Sequence, residues 1–63
     1  MSRARKLRAR EAVAAQRRWI EAHGADRLGY AQLYGERGKA IYEADRARLL
    51  ELEDDLRALE AAR

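Results

Sequence analysis

The chain has 63 residues, of which 14 are Lys or Arg and 11 are Asp or Glu, so its formal net charge is +3. It contains no Cys, Thr, Asn, Pro or Phe, and Ser2 and His23 are the only serine and the only histidine. Nucleophilic catalysis needs a hydroxyl, thiol or amine beside a base, and a zinc site needs several His or Cys ligands. This inventory predicts a protein that is not an enzyme and that uses no metal, no cofactor and no small-molecule substrate.

Helix is the expected conformation throughout, because Pro is absent and Ala, Arg, Glu and Leu are abundant. Glycines at positions 24, 29, 35 and 38 divide the chain. No segment approaches the roughly 20 apolar residues that cross a bilayer, so we expect no membrane association. The sequence therefore predicts one all-α domain over residues 1–63, an antiparallel helical hairpin with a short helix or tight loop at the turn.

The first predicted element is a helix from about residue 3 to residue 23, with residues 1–8 as a basic arm and residues 9–23 as the part of the helix that packs on the core. Apolar residues recur at helical spacing from Ala9 onward, whereas basic residues continue to the chain start. We therefore expect the arm to project beyond the core. Gly24 fits the left-handed position that ends many helices. Trp19 lies on the apolar arc, which favours core packing over a role as a partner anchor.

The second predicted element covers residues 25–35. Asp26 is a suitable N-cap and Gly35 a suitable C-cap for a short helix. Gly29 lies inside it and lowers helix stability by about 1 kcal/mol, so an irregular aromatic loop is the alternative. The expected apolar contacts of this segment come from Leu28, Tyr30, Ala31, Leu33 and Tyr34.

The third predicted element is a helix at residues 38–62. Its large apolar residues alternate by threes and fours as in a heptad seam, namely Tyr42, Leu49, Leu52, Leu56 and Leu59. The seam is too short for a free-standing coiled coil, so we expect it to lie antiparallel against the first helix. With 14 Ala in the chain, the core is thin for a monomer. The candidate partner-binding residues are therefore the leucines of this helix: Leu49, Leu50, Leu52, Leu56 and Leu59.

Two polar residues, Asp45 and His23, are expected to form hydrogen bonds with nearby groups of the same chain. Asp45 interrupts the seam, and a carboxylate that faces a core is costly unless it accepts hydrogen bonds. The Trp19 indole and the tyrosine hydroxyls of the turn are the expected donors, with a direct partner contact as the alternative. His23, near the end of the first helix, is expected to bond the last carbonyls rather than to act as a pH switch.

The central part of the chain carries a series of short motifs in a fixed order, Trp19-Ile20-Glu21-Ala22-His23-Gly24, Gly29-Tyr30, Tyr34-Gly35 and Gly38-Lys39-Ala40-Ile41-Tyr42-Glu43-Ala44-Asp45. In this order it resembles a group of small helical proteins of actinobacteria and their phages. The resemblance covers about residues 19–50. No activity is attached to that group, so the resemblance implies no catalytic residue and no cofactor. It implies a phage or actinobacterial source.

Charge is distributed unevenly, since residues 1–27 carry a net +5 and residues 28–63 a net −2. The function that we predict is protein–protein interaction or assembly, by self-association or by docking on a larger protein, in the cytoplasm (the host cytoplasm if phage-encoded). Accessory nucleic-acid binding through the basic arm is the alternative, because clustered cations neutralise phosphates. Its candidate residues are Arg3, Arg5, Lys6, Arg10 and Arg17.

Overall fold

The computed structural model describes residues 3–62, so Met1, Ser2 and Arg63 lie outside the described part, and with them the start of the predicted arm. Within residues 3–62 the chain is helical without a strand. The elements are α1 (Arg3–Ala22), α2 (Arg27–Tyr34), a 3-10 turn (Gly35–Arg37) and α3 (Gly38–Ala61). Helix α1 packs along α3 and α2 packs on the start of α3. The predicted all-α hairpin with a short helix at its turn is confirmed.

Helix α1 runs without interruption from Arg3 to Ala22. This agrees with the helix predicted from about residue 3, and residues 3–8, the described part of the predicted arm, are the first two turns of α1. Ala, Arg, Lys and Leu all have high helix propensity, so nothing in this segment stops the helix. These turns remain largely exposed and basic. The arm is thus a helical extension of the hairpin.

The connection from α1 to α2 is a tight left-handed turn. Gly24 has φ +129° and Ala25 has φ +70°, and the amide of Ala25 donates to the Ile20 carbonyl at 2.8 Å. A bond of this span after a helix, closed by residues with positive φ, is the Schellman arrangement expected at a glycine stop. A Cβ on Gly29 would lie 1.8 Å from the Gly24 carbonyl oxygen, so the two backbones touch at this point.

Helix α2 forms despite its internal glycine, so the irregular-loop alternative is wrong. Asp26 caps it through a 2.8 Å hydrogen bond that its carboxylate accepts from the Gly29 amide. Gly35 closes it at φ +67°. Both predicted caps are confirmed. The α2–α3 contact depends on Gly38, where a Cβ would lie 2.6 Å from the Tyr30 carbonyl oxygen. Two glycines thus allow α2 to approach both its neighbours at backbone distance.

The core is small. Its buried side chains are Val13, Ile20, Tyr30 and Leu49, and the half-buried residues packed on them are Ile41, Tyr42, Leu52 and Leu56. Leu28 and Leu33 were expected to supply contacts of α2, but they are 69% and 60% exposed. Helix α2 packs on α3 and on the 3-10 turn, and Tyr30 is its buried residue.

The molecule is one helix layer thick. Its extents are 45 × 15 × 11 Å and its radius of gyration is 13.9 Å, whereas a compact chain of this length has a radius of gyration of about 10.6 Å. Helical domains normally bury their apolar stripes between two packed layers. A single pair of long helices leaves the contact between them open on both sides, and those two sides carry the candidate surface.

Candidate interaction surface

Two grooves follow the contact between α1 and α3, one on each side of the layer. The first groove is lined by Arg5, Ala9, Leu52, Asp55, Ala58 and Leu59. The second groove is lined by Arg10, Val13, Ala14, Arg17, Glu53, Leu56, Arg57 and Glu60. They share no residue. Their residues are often adjacent in sequence, as Leu52 is to Glu53, because a step of one residue turns about 100° around a helix.

Ion pairs bridge the second groove. Arg10 meets Glu60 at 3.3 Å and Arg17 meets Glu53 at 2.8 Å, each pair joining α1 to α3. Exposed pairs of this kind stabilise by less than about 1 kcal/mol. They nevertheless place four long charged side chains across this side of the seam. A partner helix that packed here would have to displace or desolvate them, so the second groove is a poor apolar docking surface.

The first groove has an apolar floor. Leu52 and Leu59 are half-buried and lie two turns apart on α3, and the small side chains Ala9 and Ala58 leave space between the helices. A charged residue of opposite sign stands on each helix, Arg5 on α1 and Asp55 on α3. A groove with small residues along its centre and charges at its rim has the form that a packed helix fills.

Sequence reasoning did not separate the two sides of the layer, and the missed signal is a seven-residue spacing. On α1, steps of seven from Arg5 reach Ala12 and Trp19, and on α3 they connect Asp45 with Leu52 and Leu59. Residues seven apart lie on nearly the same side of a helix. The two series therefore mark one side of the layer, and Trp19 and Asp45 lie at its turn end.

Asp45 joins all three helices at the turn end of the first groove. Its carboxylate accepts hydrogen bonds from the Tyr30 hydroxyl at 2.7 Å and from the Trp19 indole nitrogen at 3.2 Å. Its backbone carbonyl accepts from the Gln16 side-chain amide at 3.0 Å. The predicted structural role of Asp45, as an acceptor for the indole and a tyrosine of the turn, is confirmed. The interruption of the leucine seam thus fixes α2 against the hairpin.

Trp19 is 52% exposed, so the prediction that it fills the core is wrong. The indole lies at the edge of the apolar arc, where it stacks on His23 with ring centroids 3.9 Å apart. His23 in turn stacks on Tyr34 at 6.4 Å, and its Nδ1 donates to the Trp19 carbonyl at 2.7 Å, as predicted for a residue at the helix end. No second helix layer covers this side of α1. The result is a rigid, half-exposed aromatic surface made of Trp19, His23 and Tyr34.

Tyr30 is the one aromatic residue that the fold encloses completely, with 0% of its surface exposed. Its ring meets Tyr42 edge-on at 5.3 Å. Burial raises the pKa of Tyr30 far above its ordinary value, and the hydrogen bond to the Asp45 carboxylate and the negative charge of that group add to the rise. The phenol therefore remains a neutral donor to Asp45 well into the alkaline range.

The five leucines predicted to bind a partner differ in their surroundings. Leu49 is only 3% exposed and belongs to the core, so its assignment as a partner contact is wrong: Val13 and Ile20 of α1 already cover it. Leu52, Leu56 and Leu59 are half-buried in the two grooves. Leu50 is 52% exposed and one residue past Leu49, so it faces away from the grooves, as its position outside the seam predicted.

The basic residues predicted to bind nucleic acid also lie in different parts of the surface. Arg3, Lys6 and Arg10 line a shallow depression with Leu7 near the start of α1. Arg5 lines the first groove. Arg10 and Arg17 are held by carboxylates of α3. The five candidates therefore do not form one continuous cationic surface.

Within residues 3–62 no cluster of three or more His, Asp or Glu side chains is arranged to hold a metal ion. In the same part of the chain no helix combines the length and the apolar character needed to cross a bilayer. In comparisons with known proteins, no family model, no curated protein and no solved structure matches the chain. The resemblance to small actinobacterial and phage proteins therefore stays a prediction.

Proposed function

We propose that the chain is a non-catalytic protein–protein interaction module that takes a helix of its partner into the first groove. The observation that carries this proposal is the amount of surface left open. The chain exposes 4972 Å², whereas a compact monomer of 7.3 kDa exposes about 4,200 Å². The excess of about 800 Å² equals what one partner contributes to an interface of standard size.

The first groove is the best-supported location for that contact. It carries half-buried leucines and small alanines, while the second groove is crossed by ion pairs. Trp19 stands on the same side, half exposed and held rigid by its bond to Asp45 and its stacking on His23. A pre-ordered Trp beside an apolar groove is the kind of residue that dominates binding energy at interfaces, because little side-chain entropy is lost on association.

Two arginine substitutions with matched chemistry test the proposal. Ala58→Arg puts a long cation at the first groove, and Ala47→Arg puts the same side chain on an exposed position outside both grooves. Tagged wild-type and variant chains are used to recover bound proteins from the cells that produce the chain, with a second, differently tagged copy present. We expect a bound species, this second copy included, that is retained by Ala47→Arg and lost with Ala58→Arg. If nothing recovered depends on Ala58 in this way, the proposal fails.

The second candidate function is accessory nucleic-acid binding, and the observation that favours it is the cluster of Arg3, Lys6 and Arg10 on the exposed first turns of α1. Ion pairing of Arg10 and Arg17 with α3 reduces the charge available for phosphates. A mobility-shift titration at two salt concentrations tests it. Binding that falls steeply with salt and is lost on Arg3→Ala with Lys6→Ala supports this function, and no shift at low salt refutes it. A cytoplasmic location belongs to either proposal.

A further inference from the structure

We propose that the occupant of the first groove is a second copy of this chain, packed face to face as a two-fold four-helix bundle in which α1 of each copy lies against α3 of the other. This inference rests on the proposed function and names its partner. It also fixes an orientation: both turns lie at the same end of the bundle.

The net charges of α1 and α3 favour one relative orientation of the two copies. Helix α1 carries seven Lys or Arg against two Glu, a net +5, and α3 carries four against seven Asp or Glu, a net −3. Two hairpins can meet through the same side with a two-fold axis either parallel or perpendicular to the helices. A perpendicular axis sets α1 against α1, so +5 faces +5. A parallel axis sets each α1 against the partner's acidic α3, which electrostatic complementarity favours.

The rim of the first groove is self-complementary under that symmetry. Arg5 and Asp55 line the same groove from opposite helices, so they lie at neighbouring heights along the layer. A two-fold axis parallel to the helices preserves height and exchanges the two sides. It therefore places the Arg5 side chain of each copy near Asp55 of the other, at both edges of the contact. An isologous interface requires this kind of self-matching.

The first groove leaves enough space for a second copy to pack closely against it. The first groove is lined by α3 residues from Leu52 onward, whereas α2 contacts α3 at Gly38, Tyr42 and Asp45, so α2 lies outside the groove. Ala9 and Ala58 present small side chains in the groove, which allow helix axes to come within about 8–10 Å. Leu52 and Leu59, half-buried in the single chain, would then face the partner's groove. Antiparallel neighbours throughout give the up-down-up-down arrangement common to four-helix bundles.

Area is sufficient for a stable dimer. If each copy buried its excess surface of about 800 Å², the interface would total about 1,600 Å², the centre of the range for specific protein–protein contacts. A chain of this size gains a second helix layer by that contact, and an obligate homodimer is a frequent solution for a short chain with few buried residues.

Light scattering coupled to size exclusion, from about 1 to 100 µM, is the first experiment. We expect a dimer for the wild type, for Ala47→Arg and for Ala14→Arg, whose new side chain enters the second groove instead. Ala58→Arg should be a monomer, or associate at least a hundredfold more weakly. Far-UV circular dichroism verifies that each variant remains helical. Because Ala58 is exposed and Arg is a good helix former, loss of fold is not expected.

Orientation needs a second measurement. The chain has no cysteine, so Ala61→Cys, near the open end of the hairpin, accepts a single spin label per copy. Parallel placement of the two hairpins predicts a label distance of roughly 15–30 Å, since helix axes in bundles are about 10 Å apart. Hairpins placed with opposite ends together would separate the labels by a distance that approaches the 45 Å length of the chain.

Each outcome decides between the two proposals. A wild-type monomer at the highest concentration overturns the second-copy inference, while groove-dependent capture of another protein would leave the proposed function intact. A dimer that survives Ala58→Arg but is lost with Ala14→Arg overturns the choice of groove. A long label distance overturns the charge-selected orientation.

Discussion

Removal of the Asp45 carboxylate tests most directly how α2 is held against α1 and α3. In Asp45→Ala the Tyr30 hydroxyl, fully enclosed in the core, loses its acceptor at 2.7 Å, and the Trp19 indole loses its acceptor at 3.2 Å. Tyr30→Phe removes only the hydroxyl and keeps the ring contacts. The two variants and their combination form a double-mutant cycle on the bond between Tyr30 and Asp45.

The expected magnitudes follow from burial. A buried donor left without a partner lowers stability by about 1–3 kcal/mol, whereas the half-exposed indole regains a water. We expect Asp45→Ala to lower the free energy of unfolding by about 2–3 kcal/mol and Tyr30→Phe by about 1–2 kcal/mol. The double variant should lose less than the sum, with a coupling of about 1–2 kcal/mol. A chain of this size has only about 3–9 kcal/mol of total stability, so either change is easily measured.

The assay is urea unfolding at one fixed protein concentration. Unfolding is monitored by far-UV circular dichroism and by the fluorescence of Trp19, the only tryptophan. Glu43→Ala is the matched control, because Glu43 is an exposed acidic residue two positions earlier on α3. Its effect should stay within about 0.5 kcal/mol. If Asp45→Ala is no worse than Glu43→Ala, or if the cycle shows no coupling, the assignment of Asp45 as the joint of the three helices is refuted.

Three further predictions concern the turn region. Gly38→Ala should lower the free energy of unfolding by about 3 kcal/mol, because its Cβ would lie 2.6 Å from the Tyr30 carbonyl oxygen. Gly35 has φ +67° and open space around it, so Gly35→Ala should lower it by only about 1 kcal/mol. Equal thermal shifts for the two variants would contradict this. Asp26→Ala should lower stability by about 1 kcal/mol, and hydrogen exchange should quicken at the start of α2, whereas unchanged exchange there would speak against the cap. The folded chain raises the pKa of Tyr30. The contribution of the Tyr30 hydroxyl to the free energy of unfolding is therefore complete below the unfolded pKa near 10. It is lost as pH rises above that value, by at most about 1.4 kcal/mol per pH unit. Urea midpoints from pH 8 to 11 should therefore fall less steeply in Tyr30→Phe than in the Tyr34→Phe control, and parallel curves would count against the linkage.

Local signals in the sequence predicted the elements well. Asp26 and Gly35 cap α2 as their residue types imply, because caps depend on a few neighbouring backbone groups. The break at Gly24 follows from the same short-range rules. The start of α1 near residue 3 was predicted as well, although the apolar arc begins only at Ala9. Helix propensity continues through residues 3–8 without apolar contacts.

The exposure of individual side chains was harder to predict, because it depends on how many layers the chain forms. Periodicity placed Trp19 and Leu49 on inward-facing arcs alike, yet only Leu49 is buried. A heptad-like arc is wide enough to face a second and a third helix, and this chain supplies only one long neighbour. Asp45 was recognised because a carboxylate on a seam demands donors. The distinction between the two grooves depends on which side of the arc each residue occupies, and the seven-residue spacing that marks one side has this meaning only once the facing helix is known.

The most direct test of the central claim, that one helix layer is completed by a partner copy, is the dependence of the thermal midpoint on protein concentration. A dimer that unfolds to separate chains gains stability by mass action, and for two chains of this length a hundredfold rise in concentration should raise the midpoint by roughly 10 °C. A midpoint that stays the same from micromolar to hundreds of micromolar would show that the single layer is stable alone and would contradict the claim.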